Sequence, residues 1–236
     1  MKKKIVVTGG SGRFGSVLKN YKNKKYIFPT KNELNILKLN SILNYLRKHK
    51  PNSLVHLAGL SRPMIEHEKN IKKSIELNII GTSNIVIACA KLNIKLIYFS
   101  TSYVYPGLKG NYSEKDPLLP SNNYAWSKLG GESAVQMYKN SLILRVSMTE
   151  KPFVHKSAFA DMITNFIFHE DFIKIFEKII GQKGVLNIGG KSQSVYNFAK
   201  KYNKNIKKIY LKRINKINVP LNSSMNINKL KKIIKK

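Results

Sequence analysis

The sequence predicts an α/β fold built around a doubly wound parallel sheet, and three observations support this prediction. Short apolar runs rich in β-branched residues alternate with longer segments of helical periodicity along the 236 residues. The first apolar run, residues 5–7, is followed by glycines spaced as G-x-x-G-x-x-G. A later run ends in hydroxyl side chains at residues 100–102, and ligands of open α/β sheets bind beyond the carboxyl ends of the strands.

The glycine-rich turn predicts a dinucleotide-binding, Rossmann-type domain. The first glycine permits a tight turn, the second lets the backbone approach a phosphate, and the third lets the following helix pack on the strand. The N–H groups at the start of that helix favour an anion such as a diphosphate. A glycine turn without a ligand is the alternative interpretation. The residues expected to contact the cofactor here are Gly9, Ser11, Gly12, Arg13 and Phe14.

The second predicted strand, residues 25–29, ends without the acidic residue that would bind the ribose 2′-hydroxyl of NAD(H). Lys31 and Arg13 would instead neutralise a 2′-phosphate, so we expect NADP(H), with NAD(H) as the alternative. Both cations are otherwise surface residues of a lysine-rich protein. Asn35 and Ile36 are placed where the chain passes the adenine.

The middle of the chain continues the alternation of helix and strand. A helix is predicted over residues 39–50 and a strand over residues 52–57, after which Leu57, Ala58 and Gly59 offer the cofactor a close approach. We expect His56 to pack within the sheet. Residues 68–92 are predicted to form one long helix that contains Asn78, which is either a cofactor contact or a helix-bending amide.

The candidate catalytic residues follow the next predicted strand, residues 94–99, and a proline-punctuated loop over residues 106–122. Thr101 lies in the hydroxyl cluster at the end of that strand. Tyr124 and Lys128 are four residues apart at the start of a helix that extends to residue 137, so they share one helix face. We expect the ammonium group to lower the pKa of the phenol. The alternative is an ordinary exposed Tyr–Lys pair.

The remaining elements suggest two regions within a single compact unit. Residues 1–150 form the predicted dinucleotide-binding domain. Residues 151–236 form a mixed region, in which a small substrate-binding lobe accompanies returning elements of the sheet. This region begins with an irregular segment over residues 151–164, and its helices are expected over residues 172–180, 194–202 and 225–234. A strand is expected over residues 141–146 and another over residues 184–190.

The composition constrains the class of protein. Lys and Arg number 43 against 12 Asp and Glu, which gives a net charge of +31. The lysines are spread along the chain, so we expect no specific nucleic-acid site, and nucleic-acid binding stays a minor alternative. The single cysteine, Cys89, lies in an apolar run and is expected in the core. We expect no metal site, no membrane span or signal peptide, and a cytoplasmic location.

Several motifs, taken together, resemble one known family. They are TGGSGRFG at residues 8–15, HLAG at 56–59, NIIGT at 78–82, STSYVY at 100–105, YAWSK at 124–128 and NIGG at 187–190. Their order is similar to that of the extended short-chain dehydrogenase/reductase family, which comprises NAD(P)-dependent nucleotide-sugar epimerases, dehydratases and reductases. The chain most resembles the dTDP-4-dehydrorhamnose reductase branch. The 4,6-dehydratases carry an Asp-Glu pair where this chain has Ser102 and Tyr103.

The resemblance implies a reductase that uses NADP(H) to reduce a 4-keto nucleotide sugar. In that mechanism Tyr124 is the general acid, Lys128 bonds the nicotinamide ribose and assists Tyr124, and Thr101 bonds the substrate oxygen. A nucleotide-sugar epimerase with the same three residues is the nearest alternative, and a non-catalytic NADP-binding regulatory subunit is another. The segment between residues 146 and 166 is short for the family, so the sugar stays open. A homodimer is the candidate assembly.

Overall fold

Six parallel strands form the central sheet of this computed structural model, which describes residues 4–21, 23–211 and 218–235. The strands are β1 (Ile5–Thr8), β2 (Tyr26–Ile27), β3 (Ser53–His56), β4 (Lys95–Thr101), β5 (Ser141–Val146) and β6 (Gly184–Ile188). Their order across the sheet is β6-β5-β4-β3-β1-β2, and each neighbouring pair is parallel. The direction of winding reverses between β1 and β3, so this gap is the topological switch point. The predicted α/β class and the Rossmann-type sheet are confirmed.

Helices cover both faces of the sheet, as a parallel sheet requires. The α-helices of the described ranges are α1 (Arg13–Asn20), α2 (Leu39–His49), α3 (Ile65–Lys69), α4 (Ile71–Ile75), α5 (Gly81–Lys91), α6 (Asn123–Gln136), α7 (His169–Ile179), α8 (Val195–Lys200) and α9 (Asn228–Ile234). Helices α1, α7 and α9 pack on one face. Helices α2, α5 and α6 pack on the other. Within the described ranges, no helix is long and apolar enough to cross a membrane.

The side chains of β1 show how the strand pattern builds two cores. Ile5 and Val7 join the cluster with α1 and α7, whereas Val6 joins the cluster with α2 and α5. This division follows from the alternation of side chains along a strand. Cys89 is completely buried in the second core, as predicted.

His56 is a packed strand residue, which confirms its prediction. Its Nδ1 atom lies 2.8 Å from Thr8 Oγ1 and its Nε2 atom lies 3.1 Å from Thr82 Oγ1. The ring therefore ties β1 and β3 to α5. Burial lowers the pKa of His56 to about 3, so the imidazole is neutral at physiological pH.

The long helix predicted over residues 68–92 is interrupted in the structure, so that prediction is wrong in detail. Helices α3 and α4 are separate, and a π-helical segment, Glu76–Ile80, joins α4 to α5. Such segments occur frequently at functional sites. Here the π-helical turn directs Asn78 inward, where it is almost completely buried.

Residues after 150 combine a small lobe with elements that return to the sheet. Short strand pairs join Ser157–Phe159 to Lys207–Ile209 and Ile163–Thr164 to Gln193–Ser194, so the predicted irregular segment contains two short strands. A further pair joins Met148–Thr149 to Ile167–Phe168. A separate apolar cluster surrounds Phe198. Residues 212–217 and 236 of the predicted 151–236 region lie outside the described residues.

Candidate active site

A cavity of about 240 Å³ opens where β1, β3, β4 and β5 end. Its walls come from the glycine turn after β1, the loop after β3, the end of β4, the first turns of α6 and the residues that follow β5. The cavity therefore lies at the switch point of the sheet, which is where open α/β folds bind ligands.

Two glycines allow the turn after β1 to pack tightly against its neighbours. Gly9 has φ +74°, and a Cβ atom there would lie 2.6 Å from the Ala58 nitrogen. A Cβ atom at Gly15 would lie 2.3 Å from the Gly9 carbonyl oxygen. The first position needs a left-handed backbone and the second needs close packing of α1 on the turn. Because neither position carries a side chain, the neighbouring backbone segments can lie in direct contact with the turn.

Helix α6 presents Tyr124 and Lys128 to the cavity, and β4 ends in Thr101 at the same place. The start of α6 is fixed by Asn122, whose side chain accepts a hydrogen bond from the Ala125 nitrogen at 2.9 Å. The Lys128 ammonium lies 4.3 Å from the centre of the Tyr98 ring, which is a favourable cation–π distance. The three predicted catalytic residues thus share one cavity.

Burial controls the protonation of these groups. It raises the pKa of Tyr124 above its ordinary value, while hydrogen bonding to Thr101 and the charges of Arg13 and Arg62 act in the opposite direction. Burial lowers the pKa of Lys128 to about 7, and the charge of Glu132 acts to raise it. The predicted fall in the pKa of Tyr124 is therefore wrong. A lysine that loses charge to burial does little to favour the phenolate.

A buried charged network lies behind Lys128. The Glu132 carboxylate accepts hydrogen bonds from the Ser100 hydroxyl and from Arg145, whose Nη2 and Nε atoms lie 2.6 Å and 3.0 Å from Glu132 Oε1. Arg145 also donates to the Tyr105 hydroxyl at 2.8 Å. Both charges are almost inaccessible to solvent. Each charge therefore compensates the other where solvent does not reach.

Asn78 links the loop after β3 to α6. Its Oδ1 atom accepts from the Leu60 nitrogen at 2.7 Å, and its Nδ2 atom donates to the Leu60 oxygen and the Ser127 hydroxyl, both at 2.8 Å. Leu60 lines the cavity, and Ser127 precedes Lys128. The amide therefore positions two walls of the site and does not itself line the cavity.

Comparison with known families identifies this arrangement. The family described as the RmlD substrate binding domain matches residues 2–182. The chain belongs to this family.

Relatives of this RmlD-family chain carry several names. It is 28% identical over 144 residues to methionine adenosyltransferase 2 subunit beta of Pongo abelii, which covers 56% of this chain and 42% of the relative. It is 31% identical over 150 residues to the spore coat polysaccharide biosynthesis protein SpsK of Bacillus subtilis, covering 61% and 52%. The chain thus spans about half the length of these curated relatives.

A solved structure shares the RmlD-family fold over nearly the whole chain. It is dTDP-4-dehydrorhamnose reductase of Bacillus anthracis, in complex with NADP. Its TM-score is 0.87 at 23% sequence identity, over 98% of this chain and 91% of that one. At this identity the likeness establishes the fold.

The cavity of the RmlD-family chain gathers most of the residues that its sequence predicts for the site. Those lining it are Gly9, Gly12, Arg13, Phe14, Leu57, Gly59, Thr101, Tyr124 and Lys128. The predicted cofactor residues that do not line it are Ser11, Lys31, Asn35, Ile36, Ala58 and Asn78. Lys31, Asn35 and Ile36 follow β2, which is the edge strand beyond the switch point.

The Arg13 side chain is directed away from the end of β2. The sequence pairs it with Lys31 around a 2′-phosphate, at the end of β2. Its guanidinium instead donates to Glu150 Oε1 and to Ser61 Oγ, each at 3.0 Å. Both partners lie on the other side of β1, after β5 and β3. Arg13 thus lies at the edge of the cavity, on the side of β3 and β5, and the contacts of Arg13 and Lys31 with a 2′-phosphate stay predictions.

Several residues at the cavity were not predicted from the sequence. Ser61 and Arg62 line it in the loop after β3, and Glu150 pairs with the arginines at its edge. His169 and Phe166 form another part of the wall. The sequence does offer one indication of Arg62 and Glu150 as site residues, because each follows shortly after the end of a predicted strand. Among the described residues, no group of three or more His, Cys, Asp or Glu side chains is arranged to hold a metal ion.

Proposed function

We propose that this chain is an NADP(H)-dependent reductase of a 4-keto nucleotide sugar. The observation that carries the proposal is the convergence of Thr101, Tyr124 and Lys128 in one cavity, beside the glycine turn at the switch point. Membership of the RmlD family and the likeness to a reductase crystallised with NADP support the same assignment.

The residues present fit a nicotinamide dinucleotide. The turn after β1 has no side chains at Gly9, Gly12 and Gly15, where added Cβ atoms would meet backbone. The N-terminus of α1 follows directly, and its N–H groups favour a diphosphate. When bound, this cofactor supplies the hydride. Lys31, which is exposed after β2, is the candidate partner of a 2′-phosphate.

Tyr124 is suited to act as the general acid. Because burial raises its pKa, the phenol stays protonated at neutral pH and has a proton to give to a carbonyl oxygen. In this proposal the Thr101 hydroxyl hydrogen-bonds the same oxygen and stabilises the charge that develops on it. The Tyr124 proton goes to the carbonyl oxygen, and Lys128, with a pKa of about 7, can take a separate proton from solvent and offset the charge left on the phenolate.

Ser102 and Tyr103 support reduction over dehydration. The resemblance assigns an acid pair to these positions in the 4,6-dehydratases, and an elimination of water needs such groups. Neither side chain here is a carboxylic acid, and burial raises the pKa of Tyr103. The cavity thus offers a proton donor for a ketone, but it does not offer the acidic pair.

A regulatory subunit is the second candidate function. It is favoured by the relatives named methionine adenosyltransferase 2 subunit beta. A protein of that kind would bind the dinucleotide without turning over a sugar. Against it stands the retention of all three candidate catalytic residues in one cavity, since a purely regulatory site has no need of a positioned acid.

The test is NADPH oxidation by the purified chain with dTDP-4-dehydrorhamnose as the probe substrate. We expect one NADPH to be oxidised for each alcohol formed, with slower oxidation of NADH. Product identity is read by mass spectrometry. Tight NADP(H) binding without oxidation favours the regulatory subunit. Interconversion of sugar epimers without net NADPH consumption favours the epimerase.

A further inference from the structure

His67, on the short helix α3, is a completely buried residue that packs against Tyr124. The centres of the two rings lie 5.2 Å apart and their planes meet at 65°, which is an edge-to-face arrangement. The His67 Nδ1 atom lies 2.7 Å from the hydroxyl oxygen of Ser74, on α4. His67 does not line the cavity, so it contacts the tyrosine ring from outside it. The imidazole therefore links α4 to the first turn of α6.

Glu68, the next residue of α3, holds the residue that precedes Tyr124. Its carboxylate accepts hydrogen bonds from the Asn123 backbone nitrogen at 3.3 Å and from Asn123 Nδ2 at 2.5 Å. The first N–H groups of a helix have no partner within that helix, and a negative charge beside them is favourable. Two consecutive residues of α3 thus contact two consecutive residues at the start of α6, and together they restrain the first turn of that helix.

One ring nitrogen of His67 has no hydrogen-bond partner among the described residues. This atom, Nε2, is buried, and leaving it unpaired has a free-energy cost that an apolar ring at the same position would avoid. Burial lowers the pKa of His67, against the charges of Glu68 and Glu66, so the imidazole is neutral at physiological pH. Buried polar atoms without a partner are rare in native proteins and call for a role other than packing. Packing alone therefore does not account for a histidine at this position.

We propose that His67 is a positioning residue for Tyr124, whose ring it holds in the orientation from which the phenol gives its proton. Ser74 fixes the imidazole, and Glu68 fixes the helical turn that carries the phenol. Tyr103, which lines the cavity, contacts the same phenol ring at 6.2 Å. The inference rests on the proposed function, since it takes Tyr124 as the general acid. A displacement of about 1 Å at a reacting group can cost about 100-fold in rate, so a change in this packing should appear in kcat.

The first test compares kcat, KM and NADP⁺ affinity in two variants of the purified full chain, with dTDP-4-dehydrorhamnose as the probe substrate. His67→Asn keeps an amide that can bond Ser74 and removes the ring, whereas His67→Phe keeps a ring and removes both nitrogen atoms. We expect His67→Asn to lower kcat by about 10-fold to 100-fold, as misplacement of a reacting group does, with KM and NADP⁺ affinity unchanged. His67→Phe should recover most of that kcat, because it restores the ring contact.

The second test reads the position of Tyr124 without turnover. The chain is labelled with fluorotyrosine, and the fluorine NMR resonance of Tyr124 is identified by its loss in Tyr124→Phe. We expect this resonance to move in His67→Asn and to return toward its wild-type position in His67→Phe. If the wild type does not oxidise NADPH with the probe sugar, the reductase is rejected, and the resonance alone decides whether His67 positions Tyr124.

His49→Asn is the matched control, because His49 also packs on a tyrosine, Tyr45, at 4.1 Å, and neither residue lines the cavity. It should leave kcat and the Tyr124 resonance unchanged. Wild-type kcat or an unmoved resonance in His67→Asn overturns the proposal, as does an equal loss of kcat in His67→Phe. A parallel loss of NADP⁺ affinity also overturns it, since that result indicates general damage to the site. If thermal unfolding shows that His67→Asn is not folded, Ser74→Ala replaces it, with a lower kcat expected and wild-type kcat as the contradicting result.

Discussion

At the scale of single residues, the site depends on two groups whose protonation is set by burial. Tyr124 keeps its proton because its charged form is disfavoured in the cavity. Lys128 loses part of its charge for the same reason, and its pKa falls to about 7. The neutral phenol of Tyr124 can give up a proton, and Lys128, with a pKa of about 7, can take one up at neutral pH. The two transfers together leave no large net charge in the cavity.

The buried lysine should leave a signature in the pH dependence of stability. Its pKa in the folded protein is about 7, below the ordinary lysine value of 10.5, so between these values the unfolded chain binds a proton that the folded protein has lost. The cost of burying the ammonium is therefore complete at and below pH 7 and declines as the pH rises toward 10.5. We expect Lys128→Met to stabilise the protein most at pH 6, with a gain that shrinks by pH 9, measured by urea unfolding.

Lys115→Met is the control for this experiment, because Lys115 is an exposed lysine outside the cavity. Its effect should not vary in the same way with pH. A constant difference between wild type and Lys128→Met across this range would contradict the shifted pKa. Comparing variants with each other removes the contribution of the many other titrating groups.

Individual site residues could be predicted where the chemistry lies in a local motif. Thr101, Tyr124, Lys128 and the glycines meet this condition, and the structure brings them to one cavity. Glu150 does not, since its partner Arg13 is 137 residues away in the chain. Burial could not be measured from the sequence, so the direction of the pKa shift of Tyr124 was predicted wrongly from the neighbouring charge alone.

At the scale of elements, the turn after β1 and helix α1 act as one unit. The helix can approach the turn only because position 15 has no side chain, as its Cβ atom would lie 2.3 Å from a backbone oxygen. The π-helical segment fixes the loop after β3 against α6, because it directs Asn78 toward Leu60 and Ser127. The helical periodicity of residues 68–92 predicted one helix. The extra residue of the π-helical segment and the break between α3 and α4 change that periodicity only locally, so the sequence pattern does not reveal them.

Replacement of Gly15 tests the packing of this unit. Gly15→Ala should displace α1 from the turn, destabilise the protein by about 1–3 kcal/mol as an overpacked site does, and weaken NADP⁺ binding. Thermal unfolding and calorimetry measure the two effects. Gly181→Ala is the matched control, because a Cβ atom there meets nothing within 4 Å, and a change of less than about 0.5 kcal/mol is expected. Equal effects of both substitutions would contradict this account of the turn.

At the scale of the whole molecule, the sheet order decides where ligands bind. The reversal of winding between β1 and β3 leaves a crevice, and residues from four strand ends meet in it. This architecture could be predicted because alternating strands and helices leave few topologies for a parallel sheet. The region after residue 150 was less predictable, since its two-residue and three-residue strands depend on tertiary pairing. The net charge of +31 adds a field that favours anionic ligands such as nucleotides.

The most direct test of the central claim is the turnover of Tyr124→Phe at saturating NADPH and dTDP-4-dehydrorhamnose, with NADP⁺ affinity measured on the same preparation. Tyr21→Phe serves as the control, because Tyr21 is an exposed tyrosine that does not line the cavity. Loss of the general acid should lower kcat by about 100-fold or more, while NADP⁺ affinity and thermal stability stay near those of the wild type. Wild-type kcat in Tyr124→Phe would contradict the assignment of Tyr124 as the proton donor.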